Sequence, residues 1–396
     1  MVLAALLAIS PALAPTGAGA QDQLEVAITY VTRTEDKLPP LSLLEPRELP
    51  DEGLAGASLG IADNQTTGQF LGHKYTLNEV ILPEDGDLAG TVQDLLDAGA
   101  RLFVADLGAE DLLALADLPA AADALIFNAR AQDDELRTDD CRANVFHVMP
   151  SYAMKADALA QYLIWKRWSR WLLIHGERPA DLKLADAIRR AATKFNGKLV
   201  EEREYGYDPT ARRTDTGHVQ VQRQMPLLTQ QAPDYDVLIA ADESDVFAEY
   251  LPYHTWDPRP VAGSAGVVPT AWHRAFEAWG GTQMQSRFER HAGRWMRERD
   301  YTAWLAVRSI GEAVTRTGKS DSVAIRDHLR SDQFQIAAFK GEGLSFRSWN
   351  QQMRQPILLA APRMLVSVSP QEGFLHQRTP LDSLGFDEPE TNCQLQ

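Results

Sequence analysis

Strand-like apolar runs alternate with helix-length amphipathic runs through most of the chain, the pattern of parallel sheets joined by crossover helices. Val26–Thr32 predicts a first strand, followed by a proline-rich connection (Pro39, Pro40, Pro46, Pro50) and a Gly- and Ala-rich helix over residues 51–71. Residues 75–82 read as a second strand. Residues 87–98 form a helix with Leu88, Val92, Leu95 and Leu96 on one face, stopped by Gly99. Residues 102–106 and 124–128 are buried-type strands flanking a helix over 110–118. The pattern restarts about halfway. After a strand at 145–148, a helix over 151–167 carries Leu159, Ala160, Leu163 and Ile164, and a strand at 171–174 leads to a helix over 180–196 ended by Gly197. A strand at 199–204, a helix around His218–Gln231 and a strand at 237–241 continue the alternation. The longest predicted helix is 300–316, with Trp304, Val307, Ile310 and Val314 on its buried face, and a short helix near 323–329 follows it. From Gly343 the chain turns to hairpin-like stretches at 344–349, 356–361 and 365–368, then to a tail rich in Pro, Asp and Glu.

Length changes the picture by excluding a single core: 396 residues exceed the size at which one core keeps growing, so two domains are expected. A net charge of −16 would repel phosphate backbones and anionic membrane surfaces, which argues against nucleic acid as a partner. Residues 2–14 form a short apolar run, and Ala18-Gly19-Ala20 resembles a cleavage site, so the pattern predicts a secretory signal over 1–20 and a mature chain from Gln21. No later apolar stretch reaches the ~18 residues needed to span a bilayer. The chain has 2 cysteines, Cys141 and Cys393. An exported compartment permits them to pair, which would clip the C-terminal tail to a loop at the domain boundary; the alternative is two unrelated thiols.

Catalytic chemistry finds little support. The 9 histidines fall without zinc-site spacing. Gly318-Lys319-Ser320 resembles the end of a phosphate loop but follows a helix, and Ala313 stands where its first glycine belongs. Gly263-Ser264-Ala265-Gly266 has the wrong spacing for a nucleophile elbow. A binding function is the expectation, with no catalytic residues and no metal.

In open parallel sheets ligands bind beyond the carboxyl ends of the strands. That rule selects Arg33, Gly108, Glu110 and Arg130 in the first half, and Ser151, Lys155, Tyr207 and the Asp242-Glu243 pair in the second. Arg130 suits a ligand carboxylate, because a permanently charged fork at a strand end can grip it bidentately. The chain has 9 tryptophans, and Trp256 and Trp272 lie in predicted loops where an indole could stack on a flat ligand.

The arrangement resembles the type I periplasmic binding proteins of branched-chain amino-acid ABC transporters. The resemblance rests on Met149-Pro150-Ser151 opening a helix, on Val261-Ala262-Gly263-Ser264, and on a helix over 301–317 ending in Arg-Thr-Gly. The stretches GLSFRSWNQQMRQPI (343–357), SPQEGF (369–374) and DALAQYL (157–163) resemble a subfamily associated with pyrroloquinoline quinone (PQQ)-dependent alcohol dehydrogenase systems. That resemblance implies an α/β fold of two doubly wound parallel-sheet lobes joined by three hinge crossings, near 146–150, 263–267 and 334–346. Lobe 1 would hold 21–147 with 264–333, and lobe 2 would hold 148–263 with 334–396. It further implies a monomeric periplasmic protein that captures PQQ or a related aromatic carboxylate without turnover, using no catalytic cofactor. Rings to stack on that flat trianion and cations such as Arg33, Arg130 and Lys155 would then meet in the cleft. Its partner would be an ABC permease or the periplasmic dehydrogenase. Two rivals stay open at this point: a branched-chain amino-acid or small-acid receptor of an ABC importer, and a ligand-free accessory protein of the dehydrogenase.

Overall fold

The computed structural model describes residues 23–34, 49–206 and 220–395. Two parallel sheets organise it. The first contains β1 (Leu24–Arg33), β2 (His73–Leu82), β3 (Leu102–Asp106), β4 (Leu125–Asn128) and β5 (Val145–His147) in the spatial order β2-β1-β3-β4-β5. Its crossings are α1 (Leu54–Leu71), α2 (Leu88–Asp97) and α3 (Ala109–Ala116). Helix α4 (Tyr152–Trp165) leads into the second sheet, which contains β6 (Arg170–Gly176), β7 (Lys198–Tyr205), β8 (Val237–Ala241) and β9 (Val261–Gly263) in the order β7-β6-β8-β9. Helices α5 (Pro179–Phe195), α6 (Val221–Thr229) and α7 (Leu251–His254) complete that half. The C-terminal third supplies β10 (Val268–Thr270), α8 (Gly281–Ala292), α9 (Glu298–Thr317), α10 (Ser322–Arg330), β11 (Ile336–Ala337), β12 (Gly343–Phe346), β13 (Met353–Arg354), β14 (Ile357–Ala361) and β15 (Met364–Ser369). Every pairing within the two large sheets is parallel.

Each sheet is covered on both faces, which is why β3 and β8 read as unbroken apolar runs. Val104 and Phe127 face α1, α8 and α9, where Trp304, Val307 and Phe288 cover them, and Phe103 and Ile126 face Leu112 and Leu115 of α3. In the second sheet Leu173 and Ile239 pack on α4 and α5, and Leu172 and Leu238 on the side of α6 and α7. Helix α1 is pressed against α9 so closely that a Cβ on Gly56 would lie 1.8 Å from the Asp300 carbonyl oxygen. Only glycine permits that approach.

The chain passes between the bodies three times. Val148 packs in the first body and Tyr152 in the second; Ala262 lies in the second and Ala271 in the first; on β14, Leu358 faces the first and Leu359 the second. Residues 334–346, which the sequence pattern assigns to the second lobe, pack instead in the first body: Phe334 stacks on Phe346 at 5.6 Å, and Phe346 meets Phe146 edge-on at 4.9 Å. That passage therefore falls at β14, later than expected.

Two other differences have local causes. Asn196, not Gly197, takes the left-handed turn that ends α5, and Gly197 makes room for the Trp171 ring. Helix α8 is absent from the sequence expectation because only Met284 and Phe288 mark its buried side with large apolar groups. The expected signal at 1–20, Tyr207 and His218 lie outside the described residues. Among those residues no helix is long and apolar enough to cross a membrane.

The tail is fastened by buried ionic groups. Asp382 accepts from Arg347 at 3.0 Å and Arg354 at 2.8 Å. Asp157 on α4 receives Arg190 at 3.1 Å, Lys194 at 3.0 Å and the Gly385 amide at 2.8 Å. Beyond them Cys393 is bonded to Cys141.

Candidate functional site

The carboxyl ends of both sheets converge on the first turns of α4 and α9. Ser151 caps α4, its hydroxyl accepting from the Met154 amide at 3.3 Å. Helix α9 is set against the first sheet by Thr302, which donates to the Ala129 carbonyl at 2.6 Å, and by Arg299, which grips Asp106 at the end of β3 through bonds of 3.0 and 2.6 Å. Tyr30 also donates to Asp106, at 2.5 Å. Glu298, in the first turn of α9, stands where the helix dipole favours an anion. It accepts from the Ala271 amide at 2.5 Å and from Lys155 of α4 at 2.7 Å. This ion pair joins the two bodies. Further out, Gln132 after β4 donates to Glu243 after β8 at 3.3 Å, a second contact between the facing strand ends.

Electrostatics single out two groups here. Glu243 is exposed at the end of β8, where it accepts from Gln132. Desolvation by neighbouring protein is the largest influence and pushes its carboxyl up to about 7, with Lys155 opposing and Glu298, Asp245 and Asp181 adding. Lys340 is buried, donates to Gln355 Oε1 and the Pro356 carbonyl at 2.8 Å, and lies 4.9 Å from the Tyr301 ring centre. Burial brings its amine down to about 7, with Lys155 lowering it further and Glu298 opposing.

The structure disperses most of the residues the sequence selects. Arg33 is committed to Asp111 at 2.7 Å and the Gly86 carbonyl at 2.6 Å. Gly108 begins α3 as its N-cap, and Glu110 is exposed on the first turn. Arg130 follows β4, half-buried, its amide donating to Asn128 Oδ1 at 3.1 Å. Asp242 is buried and serves the backbone, accepting from the amides of Val246, Phe247 and Ala248 at 2.7–3.0 Å. Burial raises its carboxyl to about 6 against those bonds.

The two selected indoles do not face the cleft opening. Trp272 is buried in the first body, stacked on Tyr301 at 4.9 Å, and Trp256 is exposed beside α6, its amide donating to Thr229. Lys155 holds a contact between the bodies. The groups that sequence reasoning passed over are Glu298, Gln132 and Lys340; Glu243 falls within the Asp242-Glu243 segment that the strand-end rule selects. Glu298 had no strand-end signal, because it opens a helix and follows no strand.

Among the described residues no group of His, Cys, Asp and Glu is arranged to hold a metal ion.

Two parallel, doubly covered sheets with facing carboxyl ends and three passages between them define the type I periplasmic binding protein fold. Residues 52–248 match the periplasmic binding protein family. The leucine-, isoleucine-, valine-, threonine- and alanine-binding protein from Brucella ovis, in its closed conformation, superposes with a TM-score of 0.68 at 13% identity, over 95% of this chain and 100% of that one. A branched-chain amino-acid ABC transporter ligand-binding protein from Burkholderia xenovorans gives 0.69 at 13% identity, over 94% and 100%. An ABC transporter substrate-binding protein from Desulfitobacterium hafniense, in complex with Leu, gives 0.64 at 15% identity, over 88% and 100%. No curated protein matches the chain. The chain thus has the type I periplasmic binding protein fold, the architecture of those branched-chain amino-acid receptors.

Proposed function

We propose that this chain is the periplasmic receptor of an ABC importer and that it captures an amino acid or a similar small amine-bearing acid between its two bodies, without turnover. The bodies act as lobes that close about the three passages. The observation that carries the ligand class is Glu243: an exposed carboxylate at a strand end, beside the contact with Gln132 of the facing sheet, is the partner an ammonium group requires. Arg130, across the cleft at the end of β4, is the candidate for the ligand's carboxylate. The structural neighbours whose names include amino acids support the same class. Export by the N-terminal segment and docking on a permease belong to this proposal.

Capture of PQQ, with a dehydrogenase as partner, draws less support. A flat aromatic trianion needs exposed rings, and Trp272 is covered by Tyr301 while Trp256 stands beside α6. Calorimetric titration of the purified chain with leucine, other amino acids and PQQ decides between them. Saturable heat with an amino acid is expected. Heat with PQQ and none with any amino acid would remove the amino-acid receptor.

A further inference from the structure

We propose that the C-terminal tail is a covalent strap that limits how far the two bodies can part. The inference rests on the proposed opening about the passages. Residues 384–390 are held by the second body, Gly385 and Glu390 by Asp157 and Arg190 and Leu384 within the second core, while Asp382 is held by Arg347 and Arg354, beside Phe346 and Met353 of the first core. The residues that follow change sides. Thr391 donates to the Arg137 carbonyl at 2.9 Å and Asn392 to Asp139 at 3.0 Å. Cys393 is bonded to Cys141. This loop follows Leu136, which packs with Leu112 and Leu115 on the first body.

From Glu390 to Cys393 the chain can reach only about 10 Å when fully extended. Hydrogen bonds at Thr391 and Asn392 can break and reform as the bodies move, whereas the disulfide cannot. The covalent link therefore sets a maximum separation between α5, which carries Arg190, and the 137–141 loop. Between them lies an open groove of about 400 Å³, lined by Asp134, Lys183, Arg190, Phe386 and Glu390 among others. Lys183 of α5 reaches across to Asp133 at 2.5 Å. Opening would widen this groove, and the strap is placed to stop it.

Small-angle X-ray scattering of the full-length, ligand-free protein tests the idea, comparing the oxidised chain with C141S/C393S. A compact chain of this length has a radius of gyration of about 21 Å. The variant is expected to show a larger radius and a longer maximum dimension than the oxidised protein. Should the variant fail to fold, folded wild-type protein reduced in native buffer with dithiothreitol gives the same comparison. There the reagent's two thiols become a disulfide as Cys141 and Cys393 become thiols. Superimposable curves from the bonded and unbonded folded proteins would overturn the strap. Leucine titration run alongside separates the two proposals: a scattering difference without amino-acid binding leaves the strap standing and removes the receptor, and binding with superimposable curves does the reverse.

Discussion

The Lys155 ammonium and the Glu298 carboxylate meet at 2.7 Å between the first turns of α4 and α9, with side-chain exposures of 10% and 22%. Replacing Lys155 with Met leaves Glu298 with the Ala271 amide but no cation, inside a largely dry junction. Loss of about 2–4 kcal/mol of stability is expected. Urea unfolding measures it, and an unchanged midpoint and slope would show that the pair contributes nothing.

The raised carboxyl of Glu243 makes two expectations with a definite sign. An ammonium ligand is attracted to the ionised form, so affinity for leucine should rise as pH passes upward through about 7. Glu243→Gln should lower affinity about ten- to a hundredfold and flatten that dependence. For stability the sign is opposite: a carboxyl raised in the folded state supports folding at low pH and loses that support as pH rises through about 7. Calorimetry at pH 6 and 8 checks the first, and chemical unfolding of both proteins over the same range checks the second.

Lys340 titrates the other way. Its folded-state value of about 7 lies below the ordinary 10.5, so its contribution to stability is present above about 10.5 and declines as pH falls toward 7. Relative to Lys340→Met, the wild-type protein should gain stability between those values, at no more than about 1.4 kcal/mol per pH unit. Parallel slopes for the two proteins would count against a buried, depressed lysine.

Asp157 is fully buried and holds Arg190, Lys194 and the Gly385 amide. Asp157→Ala leaves Arg190 and Lys194 without their buried carboxylate and removes the acceptor of the Gly385 amide, which loosens the tail on α4 and α5. A cost of about 3–5 kcal/mol is expected, with proteolytic cleavage appearing within residues 371–390 before the remainder of the chain is attacked. Timed digestion followed by mass spectrometry would show whether the tail is released first.

The disulfide spans 252 residues of sequence. Its removal in C141S/C393S enlarges the freedom of the unfolded chain, and a loss of about 2–4 kcal/mol is expected. Chemical denaturation of the two proteins, without reductant, measures the difference.

Much of the fold is legible in the sequence because parallel sheets covered on both faces write themselves as apolar runs. Residues 102–106 and 237–241 need no partner information to be recognised as strands. Helix α8 is obscured because Gly281 and Gln285 fill buried positions that a periodicity count expects to be apolar. The crossing at β14 is misplaced because Phe334 and Phe346 could pack in either body as far as pattern shows, and only the aromatic stack with Phe146 decides it.

The site is harder to read. Strand ends can be found, but which side chain turns into a cleft depends on local backbone bonding: Asp242 folds back on three amides while its neighbour Glu243 faces outward. Glu298 enters through tertiary packing of α1 on α9, and no short-range signal marks that contact.

The placement of the indoles has a practical corollary for optical work. Trp171, Trp272 and Trp304 are buried, whereas Trp165, Trp256, Trp279 and Trp295 stand at 51–70% exposure on the outer surface. Emission on excitation near 295 nm therefore mixes a solvent-quenchable surface population with a shielded interior one. A flat fluorescence titration is what this distribution yields even when a guest binds, while the shielded population gives a clean optical readout of unfolding.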